Sequence, residues 1–231
     1  MRYPHLFFDL DHTLWDFERN SAETLGELFV EYELAALCGV DAATFIDRYQ
    51  EANRHVWGLY NQHRITKAAL RDVRFRMVLS DLGVDEAAHP PELGAVYLAR
   101  CPTKPHLMPH AHATLSYLRH RGYTLHVLTN GFDETQALKM GGTGLRPFFR
   151  EVITSETTGH RKPEAAYFEY ALDRTGTAAG EVLMIGDSLE ADIRGAAACG
   201  LDTIFYNPAG TEHDAQPTHE VRCLSELQAI L

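Results

Sequence analysis

The four cysteines, Cys38, Cys101, Cys199 and Cys223, are scattered, and no Cys-x-x-Cys pair occurs among them. That scarcity argues against a zinc knuckle or a redox dithiol, and at 231 residues a core needs no disulfide framework. Long apolar runs are missing too: none approaches the roughly 18 residues of a membrane span. Positive charge is in short supply, with 21 Lys and Arg against 32 Asp and Glu and a net charge of −11. Such a surface would repel a nucleic-acid polymer. It does not exclude a small anion held by a few local cations or a metal. Asp9 and Asp11 arrive too early for a signal peptide, so a cytoplasmic protein with reduced thiols and no membrane partner is expected. A monomer or small homo-oligomer is expected as well.

What is present is ordinary globular material, 45% hydrophobic and 23% charged. His5 to Leu10 is a short apolar run ended by acid and reads as a buried strand. Residues from about 15 to 105 then read as helices alone. Asn20 with Glu23 has the capping-box pattern, Asp41 can cap a helix carrying Phe45, Tyr49, Val56 and Tyr60, and Thr66 can cap another with Leu70, Val73 and Met77. A short fourth helix is expected around Leu93 to Leu98. Beyond about 105, strands at 123–128, 151–154, 182–185 and 203–206 alternate with helices, and a last helix is expected over Leu224–Leu231. Alternation of this kind means βαβ units and a parallel sheet covered on both faces. The fold class is therefore α/β: a doubly wound, Rossmann-like parallel-sheet core (residues 1–14 and 106–231) interrupted after its first strand by a helical bundle (15–105).

In open parallel sheets, ligands bind beyond the carboxyl ends of the strands. Four segments occupy those ends here: Asp9-Leu10-Asp11-His12-Thr13, Thr129-Asn130-Gly131, Lys162-Pro163, and Gly186-Asp187-Ser188 with Glu190 and Asp192 following. Parallel topology brings them to one rim. Carboxylates at 4 Å repel by about 4 kcal/mol at an effective dielectric near 20, so the acidic set calls for a cation. An all-oxygen, carboxylate-rich site suits Mg²⁺ rather than zinc. Thr129, the amides around Asn130 and Gly131, and Lys162 would then hold phosphoryl oxygens, the positioning-plus-charge recipe of phosphoryl transfer.

In these four motifs the sequence resembles the haloacid dehalogenase superfamily along essentially its whole length. The resemblance implies that Asp9 attacks phosphorus to form an aspartyl-phosphate and that Asp11 acts as acid and then base. It implies that Asp9, the backbone carbonyl of Asp11, and Asp187 bind Mg²⁺. Thr129 and Lys162 would grip the phosphoryl group, with Asp192 supporting the metal and the lysine. The second aspartate argues against a dehalogenase. The inserted bundle resembles a helical cap, which would close over the core and exclude water. Phe132, Glu134, Gln136 and Lys139, with Asn53, Trp57 and Arg74-Phe75 in the bundle, resemble the pyrimidine 5′-nucleotidase branch, whose substrates are nucleoside monophosphates.

Other readings stay open: a phosphatase of another small metabolite such as phosphoglycolate or a sugar phosphate, a sugar-phosphate mutase, or a phospho-accepting signalling module. Trp15 and Phe17, where the chain leaves the first motif, are candidates to face the substrate. Arg64 and Arg74 are weaker ones. His106, His110 and His112 cluster in sequence but would diverge on a helix. The Gly141, Gly142, Gly144 trio lacks the spacing of a dinucleotide fingerprint.

Overall fold

The computed structural model describes residues 2–231 and divides into two compact units: the residues through Phe17 together with Pro105–Leu231, and Glu18–Lys104. The first unit is built on six parallel strands: β1 (His5–Phe8), β2 (Thr124–Thr129), β3 (Phe149–Thr154), β4 (Val182–Gly186), β5 (Asp202–Tyr206) and β6 (His219–Val221). Their order across the sheet is β3-β2-β1-β4-β5-β6. The order reverses at β1, which pairs with β2 on one side and β4 on the other. Phe8 stands in register with Val127 and Ile185, so these three strands end at the same level, at the switch point where doubly wound sheets place their ligands.

The strands are apolar on both sides because helices cover both faces. Leu6, Phe7, Phe8, Val127, Leu128 and all of β4 are fully buried. Phe7, Leu128, Ile153 and Met184 pack with Tyr167, Phe168 and Ala171 of the helix Ala165–Thr175 in one contiguous core.

The second unit is helical throughout, with the helices Leu34–Cys38, Ala42–Asn61, Lys67–Asp81 and Leu93–Arg100 following the one that begins at Phe17. Asp41 and Thr66 cap as expected, their side chains accepting from Thr44 N and Ala69 N. Tyr49 anchors the core, its ring 4.8 Å from that of Phe75 and 5.0 Å from that of Tyr97. Arg74 belongs to this core: it is buried, and its Nη1 donates to Asn53 Oδ1 at 2.9 Å. Among the described residues no helix is long and apolar enough to cross a membrane.

Two expectations are corrected, and one strand is added. The first helix runs Phe17–Glu31, so Asn20 is not its cap but a fully buried interior residue whose carbonyl accepts from Thr24 Oγ1. The strand β6 has no sequence signature, because it is three residues long and exposes His219 and Glu220. Beyond β4 the chain makes a π-helical turn, Leu189–Arg194, before the short helix Gly195–Ala198, in place of one regular helix. Ser188 caps the turn, and its carbonyl accepts from both Asp192 N and Ile193 N.

Candidate active site

The end of β1 sets the site. Asp9 N donates to Ile185 O of β4, carrying the strand one residue further, and the chain then turns at His12, whose backbone is left-handed (φ 63°). Asp9 and Asp11 therefore sit two residues apart on a strand-to-turn junction and face different partners.

Asp9 faces Lys162. The Lys162 side chain is buried to 2% exposure and uses its ammonium on three acceptors: Asp9 Oδ1 at 2.6 Å, Asp192 Oδ1 at 2.6 Å and the Leu128 carbonyl at 2.7 Å. Burial opposes the charge, but Asp192 and Asp9 outweigh it and hold the ammonium protonated. Asn130 fixes the lysine's backbone, its Oδ1 accepting from Lys162 N and its Nδ2 donating to Lys162 O, both at 2.8 Å. The Lys162-Pro163 peptide bond is cis.

Asp187 and Asp192 come from the end of β4. Asp187 Oδ1 accepts from Thr13 Oγ1 at 2.8 Å, and Asp192 Oδ2 accepts from Ser188 N at 3.0 Å. Gly186 makes this possible, since a Cβ there would lie 2.3 Å from Asp192 Oδ2. Carboxylate oxygens of Asp9, Asp187 and Asp192 lie within 4.8 Å of one another. Burial, then the negative neighbours Asp192 and Asp187, lift Asp9 well above the usual carboxylate range against the pull of Lys162. Burial and Asp192 push Asp187 up to about 6.

Asp11 turns the other way. Its Oδ1 accepts from Lys139 Nζ at 2.6 Å and its Oδ2 from Gln136 Nε2 at 2.9 Å. Burial alone would raise its pKa, but the Lys139 charge and these hydrogen bonds bring it below the ordinary carboxylate value. Gln136 Nε2 also donates to Thr129 Oγ1 at 2.9 Å, and Gly131 N donates to the same oxygen at 3.0 Å. With two donors already on its oxygen, the Thr129 hydroxyl has its own proton to give to a third group.

The structure thus gathers Asp9, Asp11, Thr129, Lys162, Asp187 and Asp192 on one rim. Two of the expected phosphate-contact residues already hold partners within the protein. The Asn130 side chain is spent on the Lys162 backbone, and the Gly131 amide on Thr129. What Gly131 supplies is room, for a Cβ there would lie 1.8 Å from Gln136 Nε2. Trp15 is corrected as a substrate-facing residue. It is fully buried, its N bonded to Leu10 O and its ring 4.4 Å under the Lys139 ammonium. Phe17 is half-buried, with its ring 5.0 Å from that of His12.

The residues that sequence reasoning left without a role are Gln136 and Lys139. The signal was available: the helix Asp133–Gly142 begins directly after the Thr129–Gly131 loop, so its first turns border whatever that loop borders. Tyr167 is another, its hydroxyl 2.7 Å from Ile153 O and 3.0 Å from Thr129 O, where it ties β2 to β3 beneath the site.

The donor set fits a divalent cation. Four carboxylates, Asp9, Asp11, Asp187 and Asp192, face two ammonium groups, Lys139 and Lys162, so full ionisation of the rim leaves two negative charges for a cation to offset, and without one burial favours a proton on Asp9. The ligating atoms are all oxygen, the preference of Mg²⁺.

Comparison with known proteins agrees with this geometry. A profile of the haloacid dehalogenase-like hydrolases matches residues 3–200. The pyrimidine 5′-nucleotidase PynA of Streptococcus pneumoniae is 35% identical over 98% of this chain and 94% of its own. The ribulose-1,5-bisphosphate 5-phosphatase of Halopiger xanaduensis is 32% identical over 97% of this chain and 92% of its own. Among solved structures, the HAD-hydrolase YfnB of Bacillus subtilis, bound to magnesium, superposes with a TM-score of 0.88 at 32% identity, covering 100% of this chain and 99% of that one.

Proposed function

The chain belongs to the haloacid dehalogenase-like hydrolase family, and from that premise we propose that it is a Mg²⁺-dependent phosphomonoesterase acting through an aspartyl-phosphate on Asp9. The observation that carries this is the division of labour between two aspartates two residues apart. Asp9 lies in the acidic cluster with Asp187 and Asp192 and against Lys162, whereas Asp11 is held out of that cluster by Lys139 and Gln136. One carboxylate is placed to attack and the other to move a proton.

Asp9 and Asp187, with the backbone carbonyl of Asp11, would hold the metal, and Asp192 would steady both it and Lys162. The ion would offset the charge between nucleophile and phosphoryl group. Thr129 donates its hydroxyl proton to one phosphoryl oxygen. Lys162, whose N–H donors reach Asp9, Asp192 and the Leu128 carbonyl, would share one of them with another phosphoryl oxygen. Asp9 Oδ attacks phosphorus in line with the ester oxygen, the P–O bond to the leaving group breaks with its electron pair on that oxygen, and the departing alkoxide takes a proton that Asp11 has first picked up from solvent. Water then opens the acyl phosphate, and its proton passes to Asp11.

For the substrate we propose a pyrimidine nucleoside 5′-monophosphate, supported by full-length similarity to PynA. Similarity of the same order to a ribulose bisphosphate phosphatase makes sugar phosphates the alternative to test. Phosphate release with Mg²⁺ across pyrimidine and purine monophosphates, sugar phosphates and phosphoglycolate decides it. Deoxypyrimidine monophosphates among the better substrates support the nucleotide reading. Their absence from that group removes it and leaves the reaction class standing. An isomerised sugar phosphate with no free phosphate would mark a mutase.

A further inference from the structure

Lys139 and Gln136 stand three residues apart on the helix Asp133–Gly142 and so share a face. Both end on Asp11, one on each carboxylate oxygen. The carboxylate is thereby fixed in rotation as well as in place. The second proton of the Gln136 amide goes to Thr129 Oγ1, so one side chain aligns the proton-moving group and the phosphoryl-contacting hydroxyl together. The amide has only one workable orientation, because if reversed its Oε1 would face the Asp11 carboxylate.

That orientation leaves Gln136 Oε1 buried without a hydrogen-bond partner. A bare buried acceptor is a burden that an apolar residue would not carry. Lys139 is similarly committed. Its side chain is 6% exposed, and its ammonium sits over the rings of Trp15 and Phe17, at 4.4 Å and 5.9 Å. Trp15 is the floor that keeps the lysine extended toward Asp11.

We infer that Lys139 and Gln136 are positioning residues for the second half-reaction: they hold the Asp11 carboxylate clear of the Asp9–Asp187–Asp192 cluster, aimed at the water that opens the acyl phosphate. The inference rests on the aspartyl-phosphate reading. In that step the water oxygen bonds to phosphorus, and the bond from phosphorus to Asp9 breaks with its electron pair returning to the Asp9 carboxylate. The water proton goes to Asp11, and inorganic phosphate leaves. A base displaced by about 1 Å loses on the order of 10²-fold in rate.

The test uses rapid mixing of the full chain with p-nitrophenyl phosphate and Mg²⁺. Nitrophenolate departs without a proton, so formation of the phosphoenzyme does not call on Asp11. Lys139→Met should release one equivalent of nitrophenolate at close to the wild-type rate and then turn over about 10²-fold more slowly, whereas Gln136→Leu also frees the Thr129 hydroxyl and should slow the burst as well as the turnover. Lys139→Arg keeps a cationic donor and should recover much of the turnover. A burst lost in parallel with turnover in a variant that melts as the wild type does would overturn the inference. So would wild-type turnover in Lys139→Met. Asp9→Asn serves as the control. Nitrophenolate from that variant sinks the aspartyl-phosphate reading and this inference with it. A silent Asp9→Asn beside a burst-free Lys139→Met sinks this inference alone.

Discussion

Lys162 Nζ lies 2.6 Å from Asp9 Oδ1 across 153 residues of sequence, and the same ammonium lies 2.6 Å from Asp192 Oδ1. One buried cation joins the end of β1 to the turn after β4. Both carboxylates depend on it, because a charge taken out of water needs a partner with good geometry.

Removing that cation should therefore do more than slow the reaction. Lys162→Met leaves Asp9 and Asp192 buried without compensation, a defect of about 3–5 kcal/mol. Urea denaturation should show the loss, and added Mg²⁺ should recover part of it. A variant as stable as the wild type would show that the ion pair carries no structural weight.

Metal dependence follows from the charge balance of the rim. Mg²⁺ should raise the melting temperature of the wild-type protein, and a chelator should abolish phosphate release. Asp187→Asn removes one ligand without touching the Lys162 bridge, so it should shrink the Mg²⁺-induced shift while leaving the metal-free melting temperature near or above that of the wild type. An undiminished shift would take Asp187 out of the metal site.

Gly131 tests the clamp from its other side. A methyl group there meets Gln136 Nε2, so Gly131→Ala must displace the amide from Asp11 and Thr129. Turnover should fall by about 10²-fold with a much smaller change in KM, as measured by steady-state phosphate release. Activity near that of the wild type would mean that the Gln136 contacts are dispensable.

Acid sensitivity should trace to a histidine pair in the sheet. His126 of β2 is fully buried, its Nε2 3.1 Å from His5 Nδ1 of β1. Burial, then the neighbouring His5 and Arg150, lower the His126 pKa from 6.5 to about 4. His5 is lowered as well, by burial and Arg150 against an opposing Glu181. The unfolded chain binds the proton first, so stability is retained above about 6.5 and falls as the pH drops toward 4, by up to roughly 3 kcal/mol for His126. The urea midpoint followed from pH 7 to 4.5 should decline less steeply for His126→Leu than for the wild type. Parallel curves would assign the acid loss elsewhere.

The strand ends were legible because β1, β2 and β4 are short apolar runs broken abruptly by Asp9, Thr129-Asn130 and Asp187, and parallel topology fixes their level. The caps at Asp41 and Thr66 were legible because capping is local. Asn20 misled because its neighbourhood mimics a cap, whereas burial of Asn20, Ser21 and Thr24 puts the residues inside the helix. The Asp11–Lys139 contact spans 128 residues, and its one signal is positional: the helix Asp133–Gly142 starts directly after the Thr129–Gly131 loop. Trp15 reads as an aromatic at a domain exit and proves to be the floor beneath that lysine.

The account stands most directly on a covalent bond to Asp9. The protein is mixed with Mg²⁺ and a turning-over phosphate ester, quenched in acid within the first turnovers, digested and weighed. The peptide containing Asp9 should carry one phosphoryl group, lost on treatment with hydroxylamine and absent from Asp9→Asn. Phosphate release at full rate with that peptide unmodified, or turnover retained in Asp9→Asn, would contradict it.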